Sequence, residues 1–211
     1  NVTGTPTLTL SNGATATYQS GTGSSSIVFR YTVSEGQSDS NDLSVSSYSG
    51  TISDGAGNSA AAASGDLGAV IVDANTPTIT SVTSTTDDGT YNETDTVNVT
   101  VTFSEAVTLD GGNLVITLET GDTDRTVTIT EITSSNTASG TYTVQAGDTS
   151  SDLTASGIAL SAGTLKDAGG NAMSSFTIGS NLAATSALVI DTTAPTITSV
   201  TSTTDDGTYN E

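Results

Sequence analysis

The chain has no cysteine, no histidine and no tryptophan, and only three cations, Arg30, Arg125 and Lys166, among 211 residues. Without cysteine, neither disulfides nor thiolate metal sites contribute. Without histidine, the commonest general base and every Ser-His triad are missing, so the many serines mean little. A carboxylate pair is the remaining route to glycoside hydrolysis. Yet there is no tryptophan to stack a sugar, and the acids lie on loops of a repeated sequence, so a non-enzymatic role is expected. Against the three cations stand 23 carboxylates, a net charge of −20. Almost nothing can neutralise phosphate, which argues against nucleic acid and anionic membrane surfaces and makes cations the natural counterpart. Self-repulsion at this charge implies a salty or divalent-rich medium. No apolar run approaches the ~18 residues of a membrane span, and no leader opens the sequence. No direct membrane insertion is expected, and any export signal is expected outside these residues.

What is present is a repeat. PTITSVTSTTDDGTYNE stands at residues 77–93 and again, letter for letter, at 195–211. Weaker matches follow in the same order. Val70-Ile71-Val72-Asp73 answers Leu188-Val189-Ile190-Asp191, Asp54-Gly55-Ala56-Gly57-Asn58 answers Asp167-Ala168-Gly169-Gly170-Asn171, and Tyr31-Thr32-Val33 answers Tyr142-Thr143-Val144. A fixed internal period of this length marks a tandem array. Three pieces are expected: residues 1–76, an incomplete unit lacking its first strands; residues 77–194, a complete unit; and residues 195–211, the first strand of a following unit. The chain is then a window onto a longer array.

Within the complete unit, short alternating apolar segments fall near 78–83, 97–103, 114–118, 126–132, 140–145, 158–165 and 187–190. Thr and Val dominate them, and both favour a pleated, half-buried surface. Asp87-Asp88-Gly89, Asp110-Gly111-Gly112, Gly121-Asp122 and Gly169-Gly170 read as turns between them. Residues 8–18 read as a hairpin whose Asn12-Gly13 suits a type I′ turn. About seven strands with no helical period predict an all-β chain of tandem immunoglobulin-like β-sandwich domains joined by short linkers, without the cysteine pair and tryptophan typical of antibody domains.

The acids of most interest sit at unit ends. Asp73-Ala74-Asn75-Thr76-Pro77 and Asp191-Thr192-Thr193-Ala194-Pro195 are the linkers, too short for much freedom. The turn after strand 97–103, carrying Glu105, and the Asp167–Asn171 turn are expected at the same pole. Oxygen ligands from several loops, with no His or Cys, suit Ca²⁺ rather than a transition metal. Asp54/Asp167, Asn58/Asn171 and Asp73/Asp191 recur in both units, with Asn75 offering a further oxygen in the first linker. Asp87, Asp88, Asp122 and Asp148, each taken alone, read as turn formers.

Phe103-Ser104-Glu105-Ala106-Val107, Lys166-Asp167-Ala168-Gly169-Gly170-Asn171-Ala172 and Ile190-Asp191-Thr192-Thr193-Ala194-Pro195-Thr196 together resemble the signatures of bacterial Ig-like, cadherin-like repeats in giant extracellular surface proteins, including repeats-in-toxin adhesins. The resemblance implies a cell-surface adhesion stalk stiffened by Ca²⁺ at domain junctions, with neighbouring repeats of the same chain as partners. It carries the junction role onto Glu105, Asp167, Asn171 and Asp191; the first linker departs from the pattern at Ala74, Asn75 and Thr76. The rival expectation is a self-assembling subunit of an extracellular filament, sheath or surface layer. There, residues 195–211 of another copy complete the first unit head to tail, while the counterpart of residues 94–108 stays missing.

Overall fold

The computed structural model describes residues 1–61 and 64–211. The expected all-β character holds: the described residues form strands in several sheets, with one short 3₁₀ turn, Leu182–Ala184. No helix among them is long and apolar enough to cross a membrane.

The N-terminal part contributes β1 (Val2–Leu10), β2 (Thr15–Ser20), β3 (Val28–Arg30), β4 (Ser44–Ile52) and β5 (Gly65–Asp66). They form a single sheet in the order β3-β2-β1-β4-β5. The hairpin β1–β2 is present, but its turn differs from expectation. Gly13 N–H donates to Leu10 O (2.9 Å), Gly13 has φ +82°, and Asn12 is not among the residues of positive φ. That is a type I turn closed by a left-handed glycine, the three-residue alternative to type I′. The Asn12 side chain is occupied elsewhere, its Nδ2 donating to Tyr31 Oη and Ser38 O.

Residues from 77 onward add β6 (Ile79–Thr83), β7 (Gly89–Tyr91), β8 (Thr96–Asp110), β9 (Leu114–Glu119), β10 (Arg125–Ile129), β11 (Ser135–Thr143), β12 (Thr149–Ser150), β13 (Thr154–Leu160), β14 (Thr164–Lys166), β15 (Ile178–Ser180) and β16 (Leu188–Asp191). One sheet runs β10-β9-β13 and a second β11-β8-β6-β15, with β14 on the far half of β8 and a small β12-β16-β7 sheet beside them. Val97, Val99, Val101 and Phe103 alternate along β8 and are all buried with Leu114, Ile116, Leu118 and Val127 from the first sheet. Inward residues of two sheets thus share one core, as in a sandwich. The expected strand at 158–165 is two strands, broken where Gly163 turns at φ +75°. Gly89, read as the end of a turn, opens β7.

The two parts share a hydrogen-bond pattern. Leu43 N–H donates to Val70 O as Leu153 N–H donates to Leu188 O, and Ala60 N–H donates to Ile52 O as Met173 N–H donates to Leu165 O. One divergence concerns β3. β11 pairs with β8 in the second sheet, whereas its sequence counterpart β3 lies beside β2. A separate small core of Leu10, Ala16, Leu43, Val72 and Ala74 serves the N-terminal part.

Candidate metal centre

The turn Asp167–Asn171 is built by its own side chains. Asp167 Oδ1 accepts from Asn171 N–H (2.8 Å) and Oδ2 from Asn171 Nδ2 (2.9 Å), while Gly170 supplies the left-handed residue at φ +92°. The same device closes Asp54–Asn58, with both bonds at 2.8 Å and Gly57 at φ +93°. Recurrence of this Asp/Asn pair therefore has a local cause, a side-chain-closed turn.

Among the described residues, only the second copy belongs to a cluster of three acids. Carboxylate oxygens of Asp73, Glu105 and Asp167 lie within 4.8 Å of one another. Asp73 comes from the stretch joining the two parts, Glu105 from β8 and Asp167 from the turn after β14. Glu105 was expected on a turn, but β8 continues without interruption to Asp110 because its far half is held by β14. Asn171 ties the group together, its Nδ2 donating to Asp73 Oδ1 and Asp73 O (both 3.2 Å) as well as to Asp167. Gly169 makes room: a Cβ there would stand 2.5 Å from Asp73 Oδ2. Asp167 is buried, and Asp73 and Glu105 are half-buried.

Electrostatically the cluster is strained. Burial raises the Asp73 carboxyl above its ordinary value, and the Asp167 and Asp39 charges push it the same way. Glu105 is raised by burial and then by Asp167, Asp73 and Asp39. Among the described residues the ion pairs are Arg125 with Asp148 and Lys166 with Asp110, so none neutralises this group. The donor set fits Ca²⁺. It is all oxygen, and two oxygens on one Ca²⁺ at 2.3–2.6 Å lie at most about 5 Å apart, which the 4.8 Å spread satisfies.

The remaining sequence candidates fall elsewhere. Asp54 and Asn58 are exposed near the start of the chain, where Ser53 N–H donates to Asn1 O. Asn75 gives its Nδ2 to Asp39 Oδ2 (2.8 Å), and Asp191 is exposed and accepts from Thr193 N–H (2.9 Å). Asn171 turns its amide nitrogen, not its oxygen, to the carboxylates, and so acts as a positioning residue.

Two acids escaped the sequence reading. Asp39 accepts from Ala74 N–H and Asn75 Nδ2, pinning the connection, and those bonds hold its carboxyl below the usual range. Its counterpart by position is Thr149, so a search for recurring acids passes over it. Asp148, read as a turn former, is buried and accepts from Arg125 Nε (2.8 Å), Tyr142 Oη (2.6 Å) and Gln145 N–H (2.9 Å). Tyr142 recurring as Tyr31 was the available signal: Tyr31 Oη donates to Gln37, which also accepts from Ser34 N–H.

No protein-family model, curated protein or solved structure matches this chain.

Proposed function

We propose that the chain is a non-enzymatic stretch of an extracellular adhesin stalk, built of tandem immunoglobulin-like modules and made rigid by Ca²⁺ at the junction between residues 1–76 and 77–194. Asp73, Glu105 and Asp167 are the residues that hold the ion, and Asn171 and Gly169 place them. What carries the reading is the origin of the three carboxylates. One belongs to the connection and two to the following module, so an ion bound by all three stops the connection from pivoting. The cation supplies charge neutralisation; the chain supplies a pre-formed cage whose repulsion without the ion favours an open, flexible junction.

The test is titration calorimetry of Ca²⁺ into the chelator-stripped chain. Expected is one site in the ~10⁻⁴ to 10⁻³ M range of extracellular modules, weakened at least about tenfold, or ~1.4 kcal/mol, by Glu105→Gln or Asp167→Asn. Equal affinity in wild type and both variants defeats this assignment.

A further inference from the structure

β13 lies at the outside of the sheet β10-β9-β13, and among the described residues it pairs with β9 alone. Its other side is the kind of edge on which a further strand adds. Two features modify this edge. One is a bulge at Ser156, between the pairs Ala155–Leu118 and Gly157–Thr117. The other is Asn181. Its Oδ1 accepts from Ala155 N–H (3.0 Å) while its Nδ2 donates to Ala155 O (2.8 Å), so one side-chain amide satisfies both outward backbone groups of Ala155, as a residue of a paired strand does. The same Oδ1 accepts from Leu182 N–H (2.7 Å), and Leu182 is fully buried, which anchors the amide to the core.

The N-terminal part treats the matching edge differently. There Val45 pairs with Leu10 and Ser47 with Thr9 across a bulge at Ser46, just as Ala155 pairs with Leu118 and Gly157 with Thr117. Val45 is therefore the equivalent of Ala155. What stands on its outer side is backbone: β5 pairs antiparallel, with Gly65 opposite Val45 and Asp66 opposite Ser44. The same edge thus takes a strand in one part, and in the other a carboxamide fills the strand's place.

We propose that Asn181 is a gate on the β13 edge, and that without it this edge pairs antiparallel with β13 of a second copy of the chain. The occupant follows from charge. Between Asp152 and Lys166 no residue is charged, so two chains of net charge −20 can bring these strands together without opposing carboxylates within them. Little bulk guards the edge: a Cβ on Gly157 would meet nothing within 4 Å, and Ala159 is small and exposed. The contact is isologous, closes at a dimer and joins two three-stranded sheets into one. With the amide in place the ladder loses Ala155, and the remaining Gly157–Leu160 is too short to hold a partner. None of these residues belongs to the cation cluster.

Sedimentation velocity in chelator over a wide concentration range, comparing wild type with Asn181→Ser, tests this. Serine keeps a hydroxyl to cap Leu182 N–H but is too short to reach β13. Wild type is expected to stay monomeric throughout, and Asn181→Ser to form dimers as concentration rises. Adding Ala159→Glu puts carboxylates along the paired edges and should return the variant to monomer. At low concentration, amide exchange gives a second readout: Ala155 N–H should exchange about tenfold faster in Asn181→Ser than in wild type. A folded Asn181→Ser that stays monomeric, dimers that survive Ala159→Glu, a wild type that dimerises as readily as the variant, or an Ala155 amide that exchanges equally in both overturns the proposal. So does failure of Asn181→Ser to fold, which would make Asn181 a structural cap and not a gate.

Discussion

The Asp-x-x-x-Asn turn occurs twice with nearly the same bonds and the same left-handed glycine, yet among the described residues only Asp167 belongs to a cluster of three acids. One small difference separates the copies: Ala56 stands where the other turn has Gly169, whose missing Cβ admits the Asp73 carboxylate. Gly169→Ala is therefore expected to fold normally, as the first copy already does with alanine, and to lose most of its Ca²⁺-induced rise in melting temperature by displacing Asp73. A full calcium response would mean that Asp73 is not a ligand. The sign of the pH dependence follows from the same residues. Asp73 and Glu105 have raised folded-state pKa values. The stability linked to their protonation is present below their unfolded values of about 4 and is lost as pH rises through the folded ones. Asp148 behaves oppositely. Burial alone would raise it, but bonds from Tyr142, Gln145 and Arg125 outweigh that and lower it, so its contribution is lost only as pH falls through its folded value. In chelator, melting temperature should climb as pH falls through the raised folded values of Asp73 and Glu105, and collapse as it falls further through the lowered one of Asp148. In Ca²⁺ it should fall over the same first interval as protons displace the ion. Parallel curves in the two buffers would contradict the cluster assignment.

At the scale of strands, β8 shows what the sequence could and could not tell. Its first half alternates Val97, Val99, Val101 and Phe103 between core and surface, and that period is readable directly. Ser104-Glu105 breaks the alternation, so the continuation to Asp110 depends on pairing with β14, a contact across more than fifty residues that local pattern does not encode. β7, β12 and β15, of two or three residues each, have too few side chains to show any period. Residues 77–93 make the point most sharply: their strands exist through pairing with β8, β15 and β16, partners that the segment itself does not encode. The migration of β3 has a similar cause. Gly140 in β11 sits where a Cβ would come 2.4 Å from Val127 Cγ1, so the two sheets close tightly there, whereas the counterpart Phe29 packs edge-on against Tyr18 in a single sheet. Gly140→Val should wedge the sheets apart and cost ~1–3 kcal/mol of unfolding free energy by overpacking, measurable by urea denaturation. A neutral effect would show that the close approach is not needed.

Across the whole molecule, the charge of −20 is a self-repulsion that no core offsets directly. The N-terminal part has a core of five buried hydrophobic residues, against more than twenty in the part that follows, so its position depends disproportionately on the connection. That connection is held by Asp39 from one side and by Asn171 from the other, and Asp73, which Asn171 grips, is one of the three mutually repelling carboxylates. The sequence made Asp73, Glu105 and Asp167 recognisable as oxygen donors. Their meeting, and the exclusion of Asp54, Asn58, Asn75 and Asp191 from it, is a matter of how the two parts pack. Small-angle scattering of the chain, in chelator and in millimolar Ca²⁺, probes that joint directly. The account predicts a narrower distribution of maximum dimension in Ca²⁺, together with stabilisation of about 0.4–1.4 kcal/mol at ~1–10 times the dissociation constant, both abolished by Asp167→Asn. Identical scattering and identical melting in the two buffers would contradict it.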